Sequence, residues 1–499
     1  MFKSIRKITL IILFVVFTGM LVGCQNHTEE PPIQQHPYAG TYLLQSKTIE
    51  GHDVSGQIVY GIIELSTTTQ AIMTELDAYG LNEQTGTYVY TDQTVTLTIG
   101  LRQYVFDYDS TDQTLSYAGR LSRKEVTMSY QKQVSFIKPS TNGGQPFTER
   151  LFGESLEENF YNYAPAIVME GNDTMHVWFC GNGESGNVTD YIVYRQGKLQ
   201  GDGTWIFSDR NLVLSSTAGT WDSRHVCDPT VIKGNFKYKG TDYGYLMSFL
   251  GCVTNDSSRN EVGIAVSQSI EGPWVKVDEI NPIANYYTSN EYTNDVWTWG
   301  YGQPSLVSVD QSGKVLLFYT KGVLSGTYQY VELWDLSNLD HPQKLNEAQI
   351  TNAGVVNATG GADVINNADF AYDPVLKRLY VIKEDFPYAT GGGTDWLTGA
   401  NTVMYLNLDP NETHPMQTLF NGSPLRWQVV KSIGSNETGF ARVHNGGLVR
   451  NPYGWVINPY QIPVLFTRSD VSNDYPDWPL KGQWPALHTY RIYGYLIEL

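Results

Sequence analysis

One pattern of strand start recurs along the second part of the chain and limits what the chain can fold into. It is clearest at Asp228, where an Asp-Pro step opens the apolar run 225–234. The residue before a proline is pushed towards an extended conformation, so Asp228 is expected at the very start of a strand. Similar starts lie at Ala164, Gln303, Asp369 and Asn445. The steps of 64, 75, 66 and 76 residues between them, each with an aromatic-rich second strand, predict a repeated all-β unit and a five-bladed β-propeller.

The first 24 residues have the features of a cleaved export signal. Basic residues precede the apolar run 8–22, and the segment ends in Leu21-Val22-Gly23-Cys24, a tetrapeptide that resembles a bacterial lipobox. A transmembrane anchor is the alternative, but the run is shorter than the roughly 20 residues that a span needs. We therefore expect cleavage before Cys24, a lipid (palmitate) on Cys24, and an extracytoplasmic protein that contacts the bacterial membrane through this lipid alone.

Composition divides the rest of the chain. Residues 25–36 are polar with a Pro-Pro step, which is typical of a tether. Residues 37–135 show short runs of period-two alternation, such as 40–44 and 95–99, which predict an antiparallel β-barrel. This block resembles the small lipocalin-like domains of bacterial lipoproteins, where it could hold a ligand or act as a spacer. Residues 136–158 read as a linker, and residues 159–499 as the propeller.

The formal charge limits the partners that we expect this protein to bind. The 51 acidic and 33 basic residues give a formal charge of −18, which disfavours nucleic acid and anionic lipid surfaces. We expect a monomer.

Apart from Cys24 the cysteines are Cys180, Cys227 and Cys252. A disulfide is permitted outside the cytoplasm, and Cys227 and Cys252 are placed to face each other, although sequence alone leaves the pairing open. The sequence contains no CxxC pair, so we do not expect a structural zinc site.

A family resemblance enters at residues 260–274, which read Asn-Glu-Val-Gly-Ile-Ala-Val-Ser-Gln-Ser-Ile-Glu-Gly-Pro-Trp. With Asp228-Pro229 ahead of it, this run resembles the second blade of glycoside hydrolases of family 43 and their relatives, the arabinanases, β-xylosidases and arabinofuranosidases. Residues 302–307 continue the resemblance into the third blade. Residues 443–449 resemble the segment whose histidine helps to hold a hydrated metal ion. The resemblance implies His444 beside one Ca²⁺ ion in the central channel.

The same resemblance implies three carboxylates. Inverting hydrolysis needs a base and an acid on opposite faces of the sugar, and a third carboxylate tunes the acid. Asp228 matches the tuning residue. The position of the base carries Ala164 and that of the acid carries Gln303, so two of the three carboxylates are not at their family positions. We therefore predict other catalytic residues: Asp369 as the axial partner of Asp228, Glu291 or Asp295 as the acid, with Asp222 and Asp363 as spare candidates.

Several neighbouring residues are candidates for sugar contacts: Arg224, His225, Trp297, Trp299, Tyr301 and Gln303. On a strand, Trp297 and Trp299 would face one side, and two indoles suit sugar stacking. Each candidate also has a purely structural interpretation. An Asp at a strand start often only caps a turn, His444 could be a satisfied core histidine, and aromatic pairs fill propeller cores.

Three functions remain open from sequence. The first is a surface-anchored glycoside hydrolase that acts on extracellular polysaccharide. The second is a non-catalytic glycan-binding or polysaccharide-assembly lipoprotein on a degenerate hydrolase propeller. The third is a protein–protein scaffold, which is favoured only if neither sugars nor metal contact the axial pocket. The sequence contains no G-x-S-x-G elbow, Walker loop, H-E-x-x-H motif or EF-hand ligand series.

Overall fold

The computed structural model describes residues 38, 40–54, 58–66, 69–77, 80–121, 123–133, 145–148, 151–152, 161–171, 173–182, 189–200, 204–254, 258–294, 296–386, 397–470 and 489–498. The chain divides into two compact units, Met1–Gln133 and Val134–Leu499. The predicted signal peptide, Cys24 and the tether lie outside the described residues. No helix in the described ranges is both long and apolar enough to cross a membrane.

Unit 1 is one antiparallel sheet of nine strands. They are β1 (Gly40–Ile49), β2 (His52–Asp53), β3 (Ile58–Leu65), β4 (Gln70–Asp77), β5 (Gly80–Tyr90), β6 (Thr94–Ile99), β7 (Arg102–Asp109), β8 (Thr114–Leu121) and β9 (Lys124–Gln133). Strand β1 pairs with both β3 and β9, so the sheet closes on itself. Alternate residues point inwards, as the buried Val95, Leu97 and Ile99 of β6 show.

Unit 2 is also nearly all strand. Its strands are β10 (Gln145–Thr148), β11 (Asn162–Glu170), β12 (Thr174–Asn182), β13 (Asp190–Leu199), β14 (Trp205–Phe207), β15 (Asn211–Leu214), β16 (His225–Tyr238), β17 (Thr241–Cys252), β18 (Glu261–Ser267), β19 (Val275–Lys276), β20 (Gly300–Ser308), β21 (Lys314–Val323), β22 (Gly326–Asp335), β23 (Gln343–Gln349), β24 (Asp369–Asp373), β25 (Arg378–Glu384), β26 (Asn401–Asn407), β27 (Gln428–Ile433), β28 (Val443–Arg450), β29 (Gln461–Asp470) and β30 (Thr489–Glu498). A 3-10 helix at Pro415–Leu419 and helix α1 (Ser435–Thr438) interrupt them.

These strands form five antiparallel groups, which we number I to V. Group I is β11–β14 with β15, group II is β16–β19, group III is β20–β23, group IV is β24–β27, and group V is β28–β30 with β10. Strand β10, from the predicted linker, pairs with β30 and so completes group V from the N-terminal side. Groups V and I join through the parallel pairing of β28 with β11.

A hydrophobic core separates each group from the next. One buried cluster lies between groups I and II, others between II and III, III and IV, and IV and V. A fifth cluster, which includes Phe179 and Leu465, joins group V back to group I. Because the apolar faces of the groups are covered only by their neighbours, the ring buries what a single group would expose. Unit 2 is therefore a β-propeller, as the repeat predicts.

One residue with a positive φ angle stands in the first strand of each group or, in group IV, two residues before it. These residues are Ala164 (49°), Asp228 (46°), Gln303 (52°), Asn367 (45°) and Asn445 (40°). In groups I, II, III and V the strand pairing slips at this position, as in a β-bulge. Asp228 is thus not the extended first residue that the Asp-Pro step predicts, because the bulge overrides the preference for extended backbone before proline. In group IV the equivalent of Asp228 is Asn367, two residues before Asp369.

Side chains two residues beyond these positions tie neighbouring groups together. Thr230 Oγ1 accepts a hydrogen bond from Leu306 N (3.1 Å), and Ser305 Oγ accepts one from Phe370 N (3.0 Å). In the same way Asp369 Oδ2 accepts a hydrogen bond from Leu448 N (2.9 Å). In groups II to IV these bonds replace backbone pairing between the innermost strands of the ring.

A buried arginine joins the same contacts. The Arg450 side chain is 0% exposed. Its Nη1 lies 3.1 Å from Asp369 Oδ1 and donates to Phe370 O at 2.7 Å. Its Nη2 donates to Thr230 Oγ1 at 3.0 Å. One residue of group V therefore holds groups II and IV at the axis of the ring.

Candidate functional site

The five innermost strands meet around one axial pocket. It is lined by the five positive-φ positions and the residues that follow them, namely Ala164, Pro165, Ala166, Asp228, Pro229, Gln303, Pro304, Asn367, Ala368, Asp369, Asn445 and Gly446. Every group contributes at least one residue to the lining. The positive φ at each position turns one residue per strand out of the regular pleat.

Among the five positive-φ residues that line the pocket, Asp228 is the one with a carboxylate side chain. Its side chain is half-buried, and Oδ1 lies 3.3 Å from Cys227 Sγ and 3.8 Å from Cys180 Sγ. Burial, followed by the negative charges of Asp190 and Glu384, raises the pKa of Asp228 to about 7. An acid with such a pKa is partly protonated at neutral pH and suits proton transfer.

Asp190 is the first of two nearby acids that the sequence did not single out. It begins β13 in group I and is 3% exposed. Its Oδ2 lies 3.2 Å from Nδ1 of the buried His225, and its backbone N–H donates to the same nitrogen at 3.3 Å. Within the described part of the chain, Asp190 Oδ1 has no hydrogen-bond partner.

Glu384 is the second of these acids. It ends β25 in group IV and is 1% exposed. Its Oε1 accepts hydrogen bonds from Asn367 Nδ2 and Asn445 N, both at 2.7 Å, and lies 2.5 Å from His444 Nδ1. These contacts hold the carboxylate beside two of the pocket-lining positions.

The structure therefore brings together three acids from three groups. Asp228 comes from a first strand, Glu384 from a second and Asp190 from a third. A search for strand-opening Asp-Pro steps could find only the first, because the other two stand at strand ends away from proline. The one signal for Glu384 is the charged run Lys383-Glu384-Asp385 directly after an apolar strand.

Tyrosines lie beside the acids. The Tyr163 hydroxyl is 3.1 Å from Cys227 Sγ, and the Tyr163 and Tyr490 rings are 4.9 Å apart. Tyr161 packs against both rings. Burial and the Asp190 carboxylate raise the pKa of Tyr163 well above its usual range.

Asp369, predicted as the axial partner of Asp228, lines the same pocket. All its contacts described above, however, are structural: Arg450, Ser305 Oγ (2.7 Å) and Leu448 N. It stands where Thr230 and Ser305 stand in their groups. The structure thus gives Asp369 a bridging position rather than the position of Asp228.

The other predicted acids lie away from the pocket lining. Glu291 accepts a hydrogen bond from the Tyr301 hydroxyl, and its Oε2 lies 3.6 Å from Lys321 Nζ. Tyr301 belongs to the hydrophobic cluster between groups II and III. Asp222 pairs with Lys276, and Asp363 Oδ2 lies 2.6 Å from Lys383 Nζ. Asp295 lies outside the described residues.

The two predicted stacking tryptophans differ from each other. Residues 296–299 are not in a strand, so the expectation that both indoles face one side does not hold. Trp297 is 61% exposed. Trp299 is half-buried against Leu250 and the Cys180–Cys227 pair. Only Trp297 presents an open aromatic face.

The four other residues predicted to contact a sugar do not lie together. Gln303 lines the pocket, and no hydrogen-bond partner for its Oε1 is present among the described residues. His225 is buried against Asp190, and Tyr301 is buried in the cluster with Glu291. Arg224 is half-buried, and its backbone N–H donates to Cys252 O at 2.9 Å.

The cysteines pair differently from the expectation. Cys180 and Cys227 form a disulfide, whereas Cys252 retains its thiol. The register of β16 with β17 sets Cys252 opposite His225, and Cys227 opposite Leu250. Potential metal-ligand atoms of Cys180, Cys227 and Asp228 gather within 4.8 Å, but sulfurs in a disulfide are not thiolate ligands.

Whether the pocket suits a cation depends on its oxygens. Ca²⁺ prefers oxygen ligands. Two buried amide oxygens that line the pocket, Gln303 Oε1 and Asn445 Oδ1, lack hydrogen-bond partners within the described ranges. His444 Nδ1 is already beside Glu384. The donor set therefore fits a hydrated hard cation near the amides better than one bound directly by His444.

Comparisons with known proteins give fold-level likeness only. No protein-family model and no curated protein sequence match this chain. Among solved structures, an α-L-arabinofuranosidase from Podospora anserina in complex with cellotriose is 13% identical, with a TM-score of 0.41, and the match covers 71% of this chain and 98% of that chain. A family 117 glycoside hydrolase from the marine bacterium Zobellia galactanivorans is 10% identical, also with a TM-score of 0.41, over 71% and 90%. A GH62 hydrolase in complex with xylotriose is 11% identical, with a TM-score of 0.43, over 72% and 99%.

Proposed function

We propose that unit 2 acts on oligosaccharides at the axial pocket, as a five-bladed, glycoside hydrolase-like propeller. The observation that carries this proposal is the meeting of Asp190, Asp228 and Glu384, from three different strand groups, beside one pocket. Buried acids are costly unless their interactions compensate, and a carboxyl whose pKa is raised, as that of Asp228 is, is typical of a functional site when it lies at a cleft.

Each acid has a role that its contacts suit. Hydrolysis of a glycosidic bond needs a proton for the leaving oxygen and a base for the attacking water. Asp228, with its raised pKa, supplies the proton. Asp190, with one oxygen lacking a partner in the described chain, accepts the proton of water. Glu384 is fixed by Asn367 and Asn445, and its charge adds to the effect of burial and of Asp190 in raising the pKa of Asp228.

A second function, glycan binding without cleavage, is favoured by a different observation. The family positions of base and acid carry Ala164 and Gln303, and both line the pocket. Asp190 and Glu384 are 3% and 1% exposed and already contact histidines. A sugar above Asp228 would then meet amides and tyrosines, which bind hydroxyls and ring faces but transfer no proton at neutral pH.

One experiment separates these functions. The protein and its Asp228→Asn variant are incubated with xylotriose, cellotriose and β-1,3-galactotriose, while calorimetry records binding and chromatography records products. Products that the variant fails to release support the hydrolase. Saturable binding without products supports the binding protein. If none of these sugars is bound or cut, both proposals fail for these glycans.

We also propose that the protein is attached to the bacterial membrane by a lipid on Cys24 and acts outside the cytoplasm, with unit 1 as a lipocalin-like spacer or ligand-binding module. The Cys180–Cys227 disulfide supports an oxidising compartment. In cells fed an alkyne analogue of palmitate, the wild-type protein is expected to be labelled in the membrane fraction. Cys24→Ala should abolish the label. A label that persists in this variant would place the lipid elsewhere.

A calcium ion in the central channel remains part of the proposal. Gln303 Oε1 and Asn445 Oδ1 would hold it, in part through water. When bound, the ion would supply a fixed positive charge on the axis, where hydroxyl groups of a sugar could replace its water. Calorimetry with CaCl₂ tests this proposal, and Gln303→Leu with Asn445→Ala should weaken the binding.

A further inference from the structure

The Cys180–Cys227 disulfide lies directly against the carboxylate on which the proposed function rests. Cys180 is on β12 in group I, and Cys227 precedes Asp228 on β16 in group II. Both cysteines are buried, and their Cα atoms are 5.1 Å apart. The bond therefore crosslinks two neighbouring groups beside the axial acid.

The sulfur atoms contact both the backbone and the side chain of Asp228. Its N–H donates to Cys180 Sγ at 3.0 Å, and its Oδ1 lies 3.3 Å from Cys227 Sγ. The pairing of β16 with β17 runs from Cys227 directly to Thr230 and skips Asp228. The sheet itself therefore does not fix the orientation of this residue.

The conformation of Asp228 needs such support. Its φ is 46°, and a side-chain-bearing residue in the left-handed region costs about 1 kcal/mol or more unless its surroundings impose it. The other nearby groups are Asp190 of β13 and Glu384 of β25, whose charges repel the carboxylate, and the Tyr163 hydroxyl of β11, which lies 3.1 Å from Cys227 Sγ. Among these contacts, only the disulfide touches both backbone and carboxylate.

We propose that the Cys180–Cys227 disulfide is a positioning element of the axial site, which holds Asp228 in its left-handed conformation with the carboxylate against the sulfurs and at the pocket. Reduction by a dithiol would add two electrons and two protons to the S–S bond and leave two thiols. The backbone of Asp228 could then relax towards the extended conformation. Sugar handling at the pocket would depend on the oxidised pair, a consequence that rests on the proposed function.

The test measures Asp228 directly. The intact protein is labelled with ¹³Cγ-aspartate, and the Asp228 resonance is identified as the one absent from Asp228→Asn. We expect its titration midpoint near 7 in the oxidised protein. In Cys180→Ala/Cys227→Ala, water replaces the sulfurs, and the midpoint should fall by about one pH unit or more. Cys252→Ala, which removes a buried thiol that forms no disulfide, is the matched control and should leave the midpoint unchanged.

A second measurement follows xylotriose binding in the same proteins. The proposal expects an affinity loss of about tenfold in the double variant and none in the control. If the double variant does not fold, the wild-type protein reduced with dithiothreitol is titrated instead. An unchanged midpoint in folded protein without the disulfide overturns the positioning role. A shifted midpoint with no xylotriose binding in any form supports the positioning role and counts against the proposed function.

Discussion

Asn367 occupies in group IV the position that Asp228 occupies in group II. Their φ angles are 45° and 46°, and both residues line the axial pocket. Two residues later, Asp369 and Thr230 each accept a backbone hydrogen bond from the next group. The repeat thus separates two kinds of position: one that faces the pocket, and one that joins neighbouring groups.

This relationship predicts that Asp369 matters for stability. Asp369→Ala leaves the fully buried Arg450 guanidinium without its carboxylate, and an unpaired buried charge costs about 3–5 kcal/mol. We expect a correspondingly lower free energy of unfolding in denaturant titrations. Asp310→Ala, in an exposed turn, serves as the control. Recovery of part of the loss in Asp369→Ala/Arg450→Leu would support the mechanism, whereas an unchanged unfolding midpoint for Asp369→Ala would contradict it.

Replacement of Asp228 should raise the free energy of unfolding, whereas replacement of Asp369 should lower it. Its folded-state pKa of about 7 lies above the usual 3.8, so the native state binds the proton more tightly than the unfolded state. Its contribution to stability is therefore full below pH 4 and is lost as the pH rises towards 7. Asp228→Asn should be more stable than wild type at pH 8, by on the order of 1.4 kcal/mol for each unit of pKa difference.

This gain should shrink as the pH falls to 4, which unfolding curves at several pH values can measure. Glu261, also with a pKa raised to about 7, titrates in the same window, but it is present in both proteins and cancels in the difference. A gain in stability that does not vary with pH would mean that the pKa of Asp228 is not raised.

Glu384 should control the titration of Asp228. Glu384→Gln keeps an oxygen for Asn367 and Asn445 but removes a negative charge that raises the pKa of Asp228. We expect a lower ¹³C titration midpoint for the Asp228 carboxyl. Glu332→Gln, at a buried glutamate of group III, should leave it unchanged. Equal midpoints in both variants would show that Glu384 does not act on Asp228.

Substitution of Trp297 should affect mainly oligosaccharide binding, whereas substitution of Trp299 should affect mainly stability. Trp297 is 61% exposed, so Trp297→Ala should change the free energy of unfolding by less than about 0.5 kcal/mol while it weakens oligosaccharide binding. Trp299 packs against Leu250 and the disulfide, and Trp299→Ala should cost about 3 kcal/mol. Calorimetry and denaturant titration test both. Unchanged sugar binding in Trp297→Ala would remove this indole from the site.

Much of the fold could be predicted from local pattern. Proline steps and apolar runs located the first strands at Ala164, Asp228 and Gln303. Period-two alternation in the runs 40–44 and 95–99 located β1 and β6 of unit 1. The all-β class followed from these patterns. Strand β4, with its mixed run Gln70–Asp77, lacked such alternation and was missed.

The composition of the site was less predictable, because it depends on contacts between distant segments. Asp190 and Glu384 reach Asp228 only through the packing of groups I, II and IV. The Cys180–Cys227 pairing likewise depends on how β12 of group I packs beside β16 of group II. Asp369 resembled Asp228 in sequence because both open apolar runs. The positive φ angle of Asn367, two residues before Asp369, is not visible in the sequence, and it marks the residue that occupies the position of Asp228 in group IV.

The central claim is that an oligosaccharide binds at the axial pocket beside Asp228. A crystal structure of the protein with xylotriose tests it most directly. We predict a sugar hydroxyl or glycosidic oxygen within about 2.6–3.2 Å of an Asp228 carboxyl oxygen. Clear density for the trisaccharide elsewhere on unit 2, with the axial pocket filled only by water, would contradict the account.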